Sequence, residues 1–202
     1  INLKNKLKNN IGLEKSISES ISLKKKLIEN KNDIKNSIKL IYRTIKSGGK
    51  VFLCGNGGSA ADAQHLAAEL VVRLRPNVNR KGLPAIALSA DTSYITACGN
   101  DYGFKNIFSR GLQALSNKND LLIVISTSGQ SENIVEALRY SKKNKIKSIG
   151  LLGKGGGKAK NLCDTKIIVP SNSTARIQEL HIFLEHFIFE SVENLLFKKN
   201  KK

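Results

Sequence analysis

Several features that would place this chain in a broad class are missing from its sequence. No apolar run approaches the roughly 18 residues that a membrane-spanning helix needs. The N-terminus, INLKNKLKNN, carries lysines but no apolar stretch of the kind that directs secretion. The three cysteines, Cys54, Cys98 and Cys163, are scattered and odd in number. They fit neither a disulfide framework nor a CxxC zinc site, and they point to a reducing cytoplasm. Aromatic residues make up 5%, and only seven of the 34 cationic residues are arginines. Nucleic-acid recognition leans on arginine forks interleaved with aromatics, so the net charge of +18 is not read as a nucleic-acid footprint. The lysines come with abundant Asn and Ile, and many lie in the first 50 residues and the terminal KKNKK, where they read as solvated faces. Neither a Walker A loop ending in Gly-Lys-Ser/Thr nor a GxGxxG fingerprint occurs, which disfavours an NTPase or a dinucleotide enzyme.

What is present suits one domain of 202 residues with an ample core and a helical extension. Residues 3 to about 47 follow helical spacing through Leu13, Ile17, Ile21, Leu23 and Leu27, then Ile34, Ile38, Ile41 and Ile45. A break is expected at Asn30–Asp33, and Gly48-Gly49 ends the second helix. Residues 1–47 are thus expected to pack on the core, or on a partner subunit, ahead of a main domain at 48–202. From Lys50 the chain alternates. Strands are expected at Val51–Cys54, Pro84–Leu88, Leu121–Ser126, Ser148–Leu152 and Lys166–Val169. Helices are expected at Ser59–Arg73, Asp91–Gly99, Phe104–Leu115, Glu132–Asn144 and Thr174–Phe197. Short apolar strands alternating with helices predict an α/β fold with a doubly wound, five-stranded parallel sheet. Ligands of such sheets bind beyond the carboxyl ends of the strands.

Two strands end in small polar loops. The first is Gly55-Asn56-Gly57-Gly58, followed by Ser59 as an expected N-cap with Asp62 in the first turn. The second is STSGQS, Ser126–Ser131. Glycines and hydroxyls before a helix N-terminus let N–H groups converge on a phosphate without lysine or metal. The bland alternative for each is a strand-to-helix turn, but two such loops on one sheet are harder to dismiss. Gly153–Gly157 reads as a connection, and Asn100-Asp101 as a turn. On the helix after the first loop, His65 and Glu69 share a face at i,i+4, roughly 15 Å or less from the cradle. They could be metal ligands or an acid–base pair, and spacing alone does not choose. The C-terminal helix adds Gln178, Glu179, His181, Glu185 and His186. Imidazole nitrogens with carboxylate or amide oxygens would suit zinc. Wheel geometry favours Glu179 with His186 (i,i+7), while His181 is read as a packing or contact residue.

Together, GNGGSAADAQHLAAEL, LPAIALSADTSYITACGNDYGF, ISTSGQSENIVEAL and ARIQELHIFLEHFI resemble the sugar isomerase (SIS) domain of the phosphoheptose isomerase family, over roughly residues 35–197 and in the family's order. The resemblance implies a flavodoxin-like SIS fold and a cytoplasmic homotetramer with active sites between subunits. The implied reaction interconverts sedoheptulose 7-phosphate and D-glycero-D-manno-heptose 7-phosphate through an enediol, the first step toward activated heptose for surface polysaccharide. It implies one Zn2+ per subunit on His65, Glu69, Gln178 and His186, which replaces the wheel preference for Glu179. It implies substrate contacts from Asn56, Gly57, Gly58, Ser59, Glu69, Asn100, Asp101, Ser126, Thr127, Ser128, Ser131 and Gln178. Glu69 and His186 would be the acid–base pair. The chain departs from the family's pattern near Val72–Leu74, where VVRLRPNVNRKG is longer and more basic. Three rivals stand beside this reading: a non-catalytic SIS regulator of the DnaA initiator-associating type, an isomerase for another sugar phosphate, and a nucleic-acid binder.

Overall fold

A computed structural model describes residues 12–197. The expected helical pattern at residues 3–11 lies outside them. Helix α1 (Leu13–Lys26) passes through a 3-10 turn at Leu27–Asn30 into α2 (Lys31–Lys46). The break therefore falls at Leu27–Asn30 and meets the expected Asn30–Asp33 at its first residue. Gly48, at φ +77°, ends α2 as expected.

The rest alternates strand and helix: β1 (Val51–Gly55), α3 (Gly58–Val71), β2 (Ala85–Ala87), α4 (Thr92–Tyr102), α5 (Ile107–Leu115), β3 (Leu121–Ser126), α6 (Glu132–Lys143), β4 (Lys147–Leu152), β5 (Thr165–Ile168) and α7 (Thr174–Phe197). All strand pairs are parallel, and the order is β2-β1-β3-β4-β5. The central strands are buried on both faces, which is why they read as unbroken apolar runs. Period-two alternation still sorts them. Val51, Leu53, Ile123 and Ile125 join one core with α2, α3 and α7, while Phe52, Cys54, Leu122 and Val124 join another with α4, α5 and α6. Helices α1 and α2 cover α7 on the first of these layers, through Leu23, Leu27 and Ile41.

This order fixes where a ligand can sit. β1 and β3 are neighbours, but the chain leaves β1 for β2 on one side and β3 for β4 on the other. The crevice at that switch point lies between the loops that follow β1 and β3. Those are GNGGS and STSGQS.

Candidate active site

The β1 loop turns into α3 through Gly57, whose φ of 55° and ψ of −122° are open to glycine and strained for other residues. Helix α3 thus starts at Gly58 and is capped by Gly57 without a side-chain bond. The expectation of Ser59 as N-cap is corrected. Ser59 lies inside the first turn and is buried, and Asp62 falls beyond that turn. Asn56 exchanges two side-chain bonds with Asn133 at the start of α6: Nδ2 of each donates to Oδ1 of the other, at 2.9 and 2.8 Å. Asn133 also accepts from the Ile134 N–H. The two ligand loops are thus tied to each other.

In the β3 loop, Ser126 Oγ is buried and accepts from the Gly129 N–H at 3.0 Å, so its hydroxyl shapes the loop. Thr127, Ser128 and Ser131 are partly exposed, and Ser131 stands at the N-cap of α6 without a side-chain bond to that helix. Gly129, at φ +62°, lies so close to the Gly156 carbonyl that no Cβ fits. The Gly153–Gly157 connection therefore packs against the serine loop, and the Ala159 N–H donates to Gly129 O at 3.0 Å. Asn100 and Asp101 lie within α4, one and two residues beyond the helix end expected from sequence, so they are not in a turn. Both are exposed and bond to each other, Asn100 Nδ2 to Asp101 Oδ1 at 2.9 Å.

Helices α3 and α7 bring the histidines together across 121 residues of sequence. His65 Nε2 lies 3.0 Å from His186 Nε2, with the rings edge to face, and 3.7 Å from Glu69 Oε1. Glu69 Oε2 is buried with no hydrogen-bond partner. Gln178 points its amide at Gly58, where a Cβ would overlap Nε2. Glu179, favoured by wheel geometry, instead pairs with Arg176 at 2.6 Å on the exposed side. Two nitrogens facing each other at 3.0 Å either share a proton or turn their lone pairs to a common cation. Tetrahedral zinc holds two nitrogen ligands about 3.3 Å apart. The donor set His65, Glu69, Gln178 and His186 thus suits such an ion chemically. Among the described residues, however, no three His, Cys, Asp or Glu side chains enclose a single point.

Two polar residues of α7 that the sequence named, Glu185 and His181, are fully buried. Glu185 is fully buried, and burial, reinforced by the Asp62 charge, pushes its carboxyl up to about 8. Burial raises Asp62 as well, with His65 opposing. His181 is fully buried with neither ring nitrogen bonded, and burial brings it down to about 4, the nearby Leu152 carbonyl offsetting part of the effect. Of the carboxylates, Glu69 is the one set beside a histidine of the pair, with Oε1 3.7 Å from His65 Nε2.

Comparison with known proteins gives the family. Residues 17–153 match the SIS domain family. Phosphoheptose isomerase of Aliarcobacter butzleri is 51% identical over 172 residues, covering 85% of this chain and 90% of that protein. The Clostridium acetobutylicum phosphoheptose isomerase is 48% identical, covering 92% and 95%. The solved structure of phosphoheptose isomerase from Neisseria gonorrhoeae superposes with a TM-score of 0.84 at 38% identity, covering 90% of this chain and 97% of that one. On these matches and on the arrangement of its two ligand loops and facing helices, the chain belongs to the phosphoheptose isomerase family of SIS-domain proteins.

Proposed function

We propose that this protein interconverts sedoheptulose 7-phosphate and D-glycero-D-manno-heptose 7-phosphate, the first step toward activated heptose for surface polysaccharide. The observation that carries the reading is the meeting of His65, Glu69 and His186 beside two glycine- and serine-rich loops at one switch point.

A ketose–aldose isomerisation moves a proton between C1 and C2 through a cis-enediol. One group takes the carbon-bound proton and another manages the oxygen protons. Glu69 is the base at carbon. Its Oε1 faces His65, and its buried, unpartnered Oε2 is free to accept. His186 is the complementary acid at oxygen. Asn56, Gly57, Gly58 and Ser59, with Thr127, Ser128 and Ser131, hold the phosphate and the chain of hydroxyls, with Ser126 shaping their loop. Binding energy at the far end of the substrate orients the reacting carbons. Gln178, reaching over Gly58, would meet substrate beside the first loop. A zinc ion on His65, Glu69, Gln178 and His186 would supply Lewis-acid polarisation of the carbonyl and enediolate oxygens.

The same reading makes the protein a cytoplasmic homotetramer. Among the described residues no helix is long and apolar enough to cross a membrane. Ile28, Phe183 and Phe187 are exposed around an apolar groove of about 420 Å³, and Leu13, Ile17 and Ile21 extend this surface along α1. Such a face suits a second copy of the chain. Asn100 and Asp101 would then meet substrate in the assembled site.

The test is to incubate the protein with sedoheptulose 7-phosphate in D2O and follow the product by NMR. The expected result is an aldose 7-phosphate carrying solvent deuterium at C2. Conversion without deuterium would show that the base returns its proton before solvent exchanges it. No conversion would move the non-catalytic regulator to the front.

A further inference from the structure

The carbonyls of the last turn of α3 have no partners further along the helix. Two of them are taken by one side chain from the basic loop between α3 and β2. Arg80 donates through Nη2 to Glu69 O and through Nη1 to Leu70 O, each at 2.9 Å, and through Nη1 also to Lys81 O at 3.1 Å. Its Nε donates to Glu193 Oε1 on α7 at 2.8 Å. The Arg80 side chain is 1% exposed and that of Glu193 3%. Arg75, 28% exposed, donates to the other oxygen, Glu193 Oε2, at 2.7 Å.

Burying a guanidinium is costly unless its fork is satisfied, and here the fork matches three acceptors from two helices. Their positions matter. Glu69 is one turn beyond His65 on α3, and Glu193 is two turns beyond His186 on the same face of α7. Arg80 therefore ties together the two helices that carry the acid–base cluster. The side chain of Glu69 faces His65 while its main chain is held by Arg80. Burial pushes Glu193 up, but the bonds from Arg80 and then Arg75 outweigh it, so its carboxyl stays below the usual range and charged at neutral pH.

We propose that Arg80 is a positioning residue for the isomerisation. It holds the Glu69 main chain and the spacing of α3 against α7, so that Glu69 and His186 address the same carbons. The proposal rests on the function inferred above. Arg75 is its internal control, because it shares the Glu193 carboxylate but does not touch the carbonyls of α3.

Arg80→Lys keeps the charge but cannot span Glu69, Leu70 and Glu193 at once. Its kcat is expected to fall ten- to a hundredfold, the scale of about 1 Å of misplacement. Its KM for sedoheptulose 7-phosphate should stay within threefold, because the phosphate loops are untouched. Arg75→Ala should melt at lower temperature with kcat within twofold of wild type. Amide hydrogen exchange across residues 67–72 should quicken in Arg80→Lys and not in Arg75→Ala. If Arg80→Lys does not fold, Glu193→Gln, which keeps the shape, carries the same test and should lose kcat at constant KM. Wild-type kcat in either variant, or parallel losses in Arg80→Lys and Arg75→Ala, would overturn the proposal. If the wild type does not turn over this substrate, the functional reading fails. The exchange measurement still decides whether Arg80 holds the turn that carries Glu69.

Discussion

Gly58→Ala separates folding from chemistry in one substitution. Gly58 opens α3 with ordinary backbone angles, so alanine is conformationally acceptable there and gains at most about 1 kcal/mol in helix preference. The new Cβ would overlap Nε2 of Gln178, the far end of a flexible side chain. Swinging that amide aside costs about 0.5–1.5 kcal/mol in rotamer strain. The two effects nearly cancel, leaving stability within about 1 kcal/mol of wild type, or roughly 2–4 °C in melting temperature for a chain of this size. The active site cannot absorb the change in the same way. Gln178 is driven out of the space over Gly58, and displacement by about 1 Å or more costs on the order of a hundredfold in rate. Thermal melts and turnover on the same preparations give both numbers. Wild-type kcat/KM in Gly58→Ala would show that Gln178 does no work over Gly58. A fall in melting temperature well beyond 4 °C would show that the overlap is not relieved by the side chain.

Gly129→Ala is the contrasting case. It combines roughly 1–2 kcal/mol of left-handed backbone strain with overlap on the Gly156 carbonyl, which cannot rotate away. A loss of about 3 kcal/mol, or roughly 6–12 °C, is expected in thermal melts. Acid should also weaken the fold through His181. Its neutral form is favoured inside, at about 4 against an ordinary 6.5, so its contribution is complete above pH 6.5 and shrinks toward pH 4, by about 3 kcal/mol in all. Glu185, raised to about 8, has the opposite slope, gaining stability as pH falls from 8. The comparison of wild type with His181→Gln therefore isolates the histidine, and parallel urea-unfolding curves from pH 7.5 to 4.5 would refute its role. Glu193, held low by its arginines, adds a further loss only below about pH 4.5, as the carboxylate is protonated. Burial pushes the Cys163 thiol up to about 12 and Cys54 higher still, so neither should react with a thiol reagent at pH 8 until the protein is unfolded.

The sheet was legible because its strands are short apolar runs between turn residues, and all five appear within a residue or two of their expected bounds. The placement of the two polar loops was legible for a local reason: glycines and serines stand directly between an apolar strand and a helix. Local spacing misplaced Ser59, because Gly57 starts the helix a residue sooner. It also preferred Glu179 to Gln178. A helical wheel does not show that Arg176 draws Glu179 outward, or that Gly58, 120 positions away, leaves room for the Gln178 amide. The same limit hid the Asn56–Asn133 exchange and the Arg80–Glu193 pair, whose partners lie 77 and 113 residues apart. In the sequence Arg80 was one basic residue of a long polar loop. Only the crossing of α3 with α7 gives it a task. The burial of Glu185 likewise depends on tertiary packing, whereas His181 is buried in keeping with its reading as a packing or contact residue.

The central claim is that Glu69 moves the carbon-bound proton. Turnover of sedoheptulose 7-phosphate by wild type and Glu69→Gln, each with and without added zinc, tests it most directly. Glu69→Gln keeps the shape and removes the base. The account predicts activity in the wild type and a loss of at least a thousandfold in the variant that zinc does not restore. A Glu69→Gln protein that turns over within tenfold of wild type would contradict it.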